Sequence, residues 1–167
     1  WEQTWSNNIG LRLGFFNRVN LDIDFYHKKT TDMLMSVPES YAITGEGYRW
    51  DNIGAMVNRG VEVSVNSDII RTKDFTWNLN ANVSYNKNKL VELYNGVQEY
   101  VNSTTGLKFV VGHPVHEYFL NRYAGVNPAN GDALWYTKDG ELTTEFNEGD
   151  KVMTGKTFDA PWAGGFG

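Results

Sequence analysis

The sequence contains no cysteine. That absence removes disulfide frameworks, thiol catalysis and zinc–thiolate centres together. Long apolar runs are missing as well. The longest stretch free of Asp, Glu, Lys and Arg is the 12 residues between Asp74 and Lys87, and half of those are polar. A spanning helix needs about 20 mainly apolar residues, so none is predicted. Barrel strands carry a much weaker hydropathy signal and stay open as a way across a membrane. Proline is scarce, with 4 residues against 17 glycines, a balance that suits strands and turns. Positive charge is also short. The 15 Lys and Arg face 20 Asp and Glu, a formal net charge of −5, which argues against a nucleic-acid partner.

Aromatic residues are plentiful, at 14% of 167 residues, and they are placed regularly. Residues 75–86 alternate without a break. Phe75, Trp77, Leu79, Ala81, Val83 and Tyr85 fall on one face, and Thr76, Asn78, Asn80, Asn82, Ser84 and Asn86 on the other. Such alternation marks a strand with one apolar face. Phe75 to Tyr85 covers about 33 Å along a strand, or about 23 Å of height at a 45° tilt. That matches the ~25 Å lipid-facing band of an outer-membrane barrel strand.

Three more segments repeat the pattern. Residues 5–15 put Trp5, Ile9, Leu11, Leu13 and Phe15 on one face, with Asn7 the exception, against Ser6, Asn8, Gly10, Arg12 and Gly14. Residues 19–25 set Val19, Leu21, Ile23 and Phe25 against Asn20, Asp22 and Asp24. Residues 53–69 set Ile53, Ala55, Val57, Val61, Val63, Val65 and Ile69 against Asn58, Glu62, Ser64, Asn66 and Asp68. The connections alternate in length. Phe16-Asn17-Arg18 and Arg71-Thr72-Lys73-Asp74 are tight, whereas 28–51 and 87–107 read as long loops. A barrel with short periplasmic turns and long outer loops sorts its connections this way. The fold class is therefore all-β: antiparallel strands forming part of a large transmembrane barrel. Leu11, Leu21, Ile23, Val61, Val63, Val65, Trp77, Leu79 and Val83 are expected to face lipid.

The second half is less regular. Asn130-Gly131-Asp132 and Asp139-Gly140 are turn signals, and residues 133–137 and 141–144 read as a hairpin. Residues 151–155 and 162–166 read as a short strand and the start of another wall strand. No helix longer than two turns is predicted. The strand-like opening and the ending at Phe166-Gly167 suggest a piece of a longer protein.

The chain resembles the late barrel region of the SusC/RagA family of TonB-dependent outer-membrane receptors. The resemblance is carried by Trp1-Glu2-Gln3-Thr4 with Asn8-Ile9-Gly10-Leu11, and by the run from Asp24-Phe25-Tyr26-His27 to Asp32-Met33-Leu34. It continues through Asn52-Ile53-Gly54-Ala55-Met56-Val57-Asn58-Arg59-Gly60-Val61-Glu62, Phe75-Thr76-Trp77 and Asn86-Lys87-Asn88-Lys89. Gly112-His113-Pro114, Tyr123-Ala124-Gly125 and Gly155-Lys156 before Pro161 complete it. The resemblance implies a barrel of about 22 strands with a plug in its lumen. It implies import of bulky nutrients, oligosaccharides or peptides, powered through the TonB complex, with a SusD-like lipoprotein over the outer mouth. With the odd face on lipid, Arg12, Asp22, Asp24, Glu62, Asn78, Asn80 and Asn82 are expected to face the lumen or the plug; in a soluble sheet they would form a solvated outer face. The TonB box, the plug and the C-terminal strand fall outside the sequence.

Two other readings stay open. In a soluble β-sandwich, such as a carbohydrate-binding module, the apolar faces would form a dry core. A passive porin-type channel would lack plug and energy coupling.

Signals for chemistry are weak. His113 and His116 lie three apart with Glu117 adjacent, but in an extended chain that spacing points them to opposite faces. The acidic run Asp132, Asp139, Glu141, Glu145, Glu148 and Asp150 lacks the spacing of a calcium loop. Gly45-Glu46-Gly47-Tyr48 lacks the third glycine of a phosphate loop, and no nucleophile elbow is present. No catalytic residue, metal or cofactor is expected. The sequons at Asn82-Val83-Ser84 and Asn102-Ser103-Thr104 read as chance. Loop aromatics are the better candidates. Tyr41, Tyr48, Trp50, Trp135 and Tyr136, with Tyr94 and Tyr100, could stack on sugar rings or meet a lid protein.

Overall fold

The computed structural model describes residues 1–102 and 106–167. Ser103 and Thr104 of the second sequon lie outside them, as does the side chain of Ile53. Five strands form the wall: β1 (Gln3–Phe15), β2 (Val19–Pro38), β3 (Tyr48–Arg71), β4 (Thr76–Glu92) and, far along the chain, β12 (Trp162–Phe166). They pair antiparallel in the order β1-β2-β3-β4-β12. Everything between β4 and β12 is one long excursion on a single connection. It holds β5 (Glu99–Val101), β6 (Lys108–Val110), β7 (Glu117–Leu120), β8 (Arg122–Val126), β9 (Ala133–Tyr136), β10 (Leu142–Thr143) and β11 (Val152–Thr157), in three small sheets. The 133–144 hairpin, the strand after Lys151 and the wall strand at 162–166 all form where the spacing places them.

Register lines up the apolar positions in rows. Leu11, Ile23, Val63, Val83 and Gly164 lie side by side across all five strands. The row above holds Ile9, Phe25, Val61, Tyr85 and Trp162, and the row below Leu13, Leu21, Val65, Ala81 and Phe166. A one-residue slip would turn the whole set to the other face, so the pattern fixes the pairing. Among the described residues none in these rows is buried. Ile9 keeps 73% of its surface exposed and Val83 42%. Among the described residues the buried hydrophobics are Val37, Ala55, Leu90 and Leu93, all at the upper end of the sheet. In a β-sandwich the apolar face would be the best-covered surface, and here it is bare.

The structure corrects the 28–51 loop. β2 and β3 keep pairing as far as Pro38 and Tyr48, and only a short tip with the helical turn α1 (Tyr41–Thr44) joins them. A bulge at Asp32, whose φ is +54°, breaks the period of two, and Asn52 Nδ2 donates to the Asp32 carbonyl across it. Above the lipid neither face need be apolar, so the alternation that reveals a membrane strand fades there. For the same reason β4 runs on to Glu92 into the region read as a second loop. A further bulge between Asp68 and Ile70 sets Ile70, rather than Ile69, opposite Trp77. Phe75 lies just before β4, in a turn where Thr72 Oγ1 accepts from its N–H.

Candidate functional site

The even-numbered face is polar from the Asp68–Asn78 pair up to the Asn58–Asn88 pair and is organised in three zones. In the lowest zone Asn66 Nδ2 donates to Asn80 Oδ1 at 2.6 Å, and Asn80 Nδ2 to Asn78 Oδ1 at 2.8 Å. Asn78 Nδ2 in turn reaches Asp68 Oδ1 at 2.9 Å. These amides neutralise one another's hydrogen-bonding needs. They sit opposite one another in the Asn66–Asn80 and Asp68–Asn78 pairs.

The middle zone is acidic. Asp24 stands directly opposite Glu62, and Asp22 opposite Ser64 and Arg12. Together with Asn82 and Ser84 these acids line a shallow recess of about 360 Å³. Two like charges directly opposite each other are unfavourable. Asp24 relieves this by leaning over Gly10 on the far side, where a Cβ would lie 2.6 Å from its Oδ1. Arg12 Nε approaches Asp22 Oδ1 at 3.7 Å, a solvated contact of small energetic weight.

The upper zone is built on Tyr26, which the sequence did not single out. Its ring lies over Gly60, its cross-strand neighbour, and its hydroxyl donates to Asn86 Oδ1 at 2.9 Å. Asn86 and Asn88 both donate to Asn58 Oδ1, and Asn88 Oδ1 accepts from the Val115 N–H at 2.8 Å. That last bond ties the outer excursion to the wall. A Tyr facing a Gly on an otherwise polar strand face was the available signal.

The seven positions expected on the lumen side therefore share one face, and the nine expected on the lipid side share the other. The loop aromatics do not converge as a group. Tyr41 projects from α1, whereas Tyr48 and Trp50 lie on β3 and pack edge to face at 6.4 Å. Trp135 sits between Tyr123 and Phe146, at 5.4 and 5.1 Å, and its neighbour Tyr136 lies under the Arg122 guanidinium. Tyr94 and Tyr100 pack together at 5.7 Å, and burial, then Tyr94, pushes the Tyr100 phenol above its ordinary value.

His113 and His116 separate onto different acids. His116 Nδ1 meets Asp159 Oδ2 at 2.6 Å, and His113 Nδ1 meets Glu117 Oε2 at 2.8 Å. Glu117 is only 2% exposed, and its other oxygen accepts from the Gly155 N–H at 2.7 Å. It clasps the irregular end of the β7–β11 pair. Replacing it with alanine leaves that amide without a partner, a cost of about 1–3 kcal/mol. Glu117→Ala is expected to speed hydrogen exchange at Gly155 in the full-length protein, and Glu117→Gln to do so far less. Equal protection in all three would remove the clasp.

A family model described as "TonB dependent receptor-like, beta-barrel" matches residues 1–166. The chain belongs to this family. Within it, the chain is a SusC/RagA-type sequence. It is 33% identical to the TonB-dependent receptor SusC of Bacteroides thetaiotaomicron over 92% of its length, which is 16% of that receptor. It is 43% identical to the TonB-dependent receptor P39 of Formosa agariphila over 94 residues, 9% of that protein. Among solved structures, the RagAB peptide transporter aligns over 99% of this chain and 19% of its own, with a TM-score of 0.87 at 32% identity. The RagAB peptide importer in its open-open state gives 0.88 at 33% identity, again over 99% of this chain. The chain thus spans less than a fifth of these relatives. TonB-dependent receptors of this kind are outer-membrane proteins, and the five-stranded sheet is part of such a barrel.

Proposed function

We propose that these residues form a stretch of barrel wall and outer loops in an energised importer of bulky nutrients. The observation that carries this is the contrast between the two faces of one sheet. One face is apolar and bare, and the other is wetted by hydrogen-bonded amides and acids. The apolar rows meet outer-membrane lipid, and the polar zones line the lumen and contact the plug. The acidic middle zone keeps the wall hydrated where a plug must shift past it. The cargo is an oligosaccharide or a peptide, in keeping with the kinship to SusC and to the RagAB peptide transporter. A SusD-like lipoprotein covers the outer mouth, where the long β2–β3 hairpin and the β5–β11 excursion stand, and Tyr41, Tyr48, Trp50, Trp135 and Tyr136 are its candidate contacts or those of the cargo. Energy reaches the barrel from the TonB complex through parts of the receptor outside this sequence. The role is transport rather than catalysis.

Uptake of labelled oligosaccharide or peptide by cells carrying the full-length receptor tests this. Collapsing the proton-motive force is expected to stop accumulation. Uptake that continued unchanged would favour a passive porin-type channel.

A further inference from the structure

Directly above the upper aromatic row, the lipid-side face turns basic. Asn7, His27, Arg59 and Lys87 share one cross-strand row, and Trp5, Lys29, Val57 and Lys89 share the next. His27, Lys29, Arg59, Lys87 and Lys89 are all exposed. Among the described residues none of the four Lys and Arg has an ion-pair partner. Four of the chain's 15 Lys and Arg thus gather on two rows of a protein whose net charge is −5. Three of them, Arg59, Lys87 and Lys89, line a cavity of about 280 Å³ with Val57, Leu90 and Val111. Neither of two acids on neighbouring positions pairs with the cluster. Asp159 near Lys87 is engaged by His116, and Glu92 stands opposite Ala55, a row beyond Lys89.

Position decides what this cluster can bind. The row of Phe25, Tyr85 and Trp162 marks the upper edge of the apolar band, where aromatic girdles sit. The basic rows begin one pleat repeat higher, about 7 Å along the strand and about 5 Å in height at a 45° tilt. That is headgroup depth. Their strands, β2, β3 and β4, are interior to the sheet, so the remaining strands of the barrel cannot cover their outer side.

We infer that Arg59, Lys87 and Lys89, with Lys29 and His27 beside them, form a binding site for the phosphate-bearing headgroup of an outer-leaflet lipid. Arg59 can hold a phosphate through two parallel N–H donors, and the lysines act as point charges around it. The apolar cavity floor takes the upper acyl or sugar carbon of the same molecule. The site rests on the outward placement of the odd face proposed above.

The test uses the full-length receptor in phosphatidylcholine nanodiscs doped with diphosphorylated lipid A, with lipids that remain bound after purification measured by mass spectrometry. Each disc also carries the receptor with a single cysteine, Val63→Cys, labelled with a fluorophore and exposed to a bilayer-embedded quencher. The wild type is expected to enrich lipid A over bulk. The triple variant Arg59→Gln, Lys87→Gln, Lys89→Gln is expected to lose about a hundredfold of that preference, about fivefold per base near an anionic surface. Lys28→Gln, on the opposite face, is expected to leave it unchanged. A quenched Val63 label with equal lipid A in wild type and triple variant overturns the headgroup site alone. An unquenched label overturns the outward placement and the site together.

Discussion

Val63→Arg in the full-length receptor is expected to cost about 2–4 kcal/mol of folding stability in a bilayer. Val63 lies in the central row, between Ile23 and Val83, with apolar rows above and below. An arginine there must snorkel past the Val61 row upward, or past the Val65 and Leu79 rows downward, before it reaches headgroups or water. The same substitution at Trp77, near the lower end of β4, should cost only about 0–1 kcal/mol, because the interface is within reach of the side chain. Urea titration of the receptor refolded into liposomes reads both values. A flat profile along Val61, Val63, Val65 and Trp77 would contradict lipid contact, since water or a dry protein core imposes no such dependence on depth.

Gly60→Val is expected to be the most damaging glycine substitution in the wall. A Cβ at Gly60 would run into the Tyr85 carbonyl oxygen of the neighbouring strand and come within 2.5 Å of the Tyr26 hydroxyl. The tyrosine can swing away, but the carbonyl is part of the β3–β4 ladder and cannot move without opening it. Overpacking typically costs about 1–3 kcal/mol, and a backbone obstacle places this case at the upper end. Displacing Tyr26 also breaks its bond to Asn86, so the upper zone loses its anchor. Gly14 supplies the control. A Cβ there would meet Asn20 Oδ1 at 3.7 Å, an ordinary contact, so Gly14→Val should be nearly neutral. Assembly of each variant can be followed by heat-modifiable mobility on gels. Equal behaviour of the two variants would show that the close approach at Gly60 is not tight.

The membrane part of the fold was legible because lipid on one side and water on the other impose a period of two. Every wall strand where both conditions hold, such as 75–85 with its aromatic ends, showed itself in sequence. The reading failed where one condition lapses. Residues 28–51 looked like loop because, above the bilayer, both faces of a strand can be polar, and because the bulge at Asp32 shifts the phase. Near the foot of β3 the simple period of two also lapses, since one inserted residue sets Ile70 rather than Ile69 opposite Trp77. The polar face was legible as a set, but its zoning was not. That Asp24 meets Glu62, while Asn66 meets Asn80, follows from register across strands that are 38 and 14 residues apart in sequence. Glu117 looked like an ordinary neighbour of two histidines, and its burial comes from the β7–β11 pairing, which no local pattern announces. The basic rows were hidden in the same way, because His27, Arg59 and Lys87 become neighbours only once three strands are aligned.

The central claim is that one sheet separates lipid from lumen, and site-directed labelling along β3 tests it most directly. The sequence has no cysteine, so single substitutions at Val61, Glu62, Val63, Ser64 and Val65 each introduce one thiol in this region. In the full-length receptor in its membrane, fluorophores at 61, 63 and 65 are expected to be quenched by a bilayer-confined quencher and shielded from a membrane-impermeant aqueous reagent. Positions 62 and 64 are expected to show the reverse. Alternation with the opposite phase, or the same response at all five positions, would contradict the account.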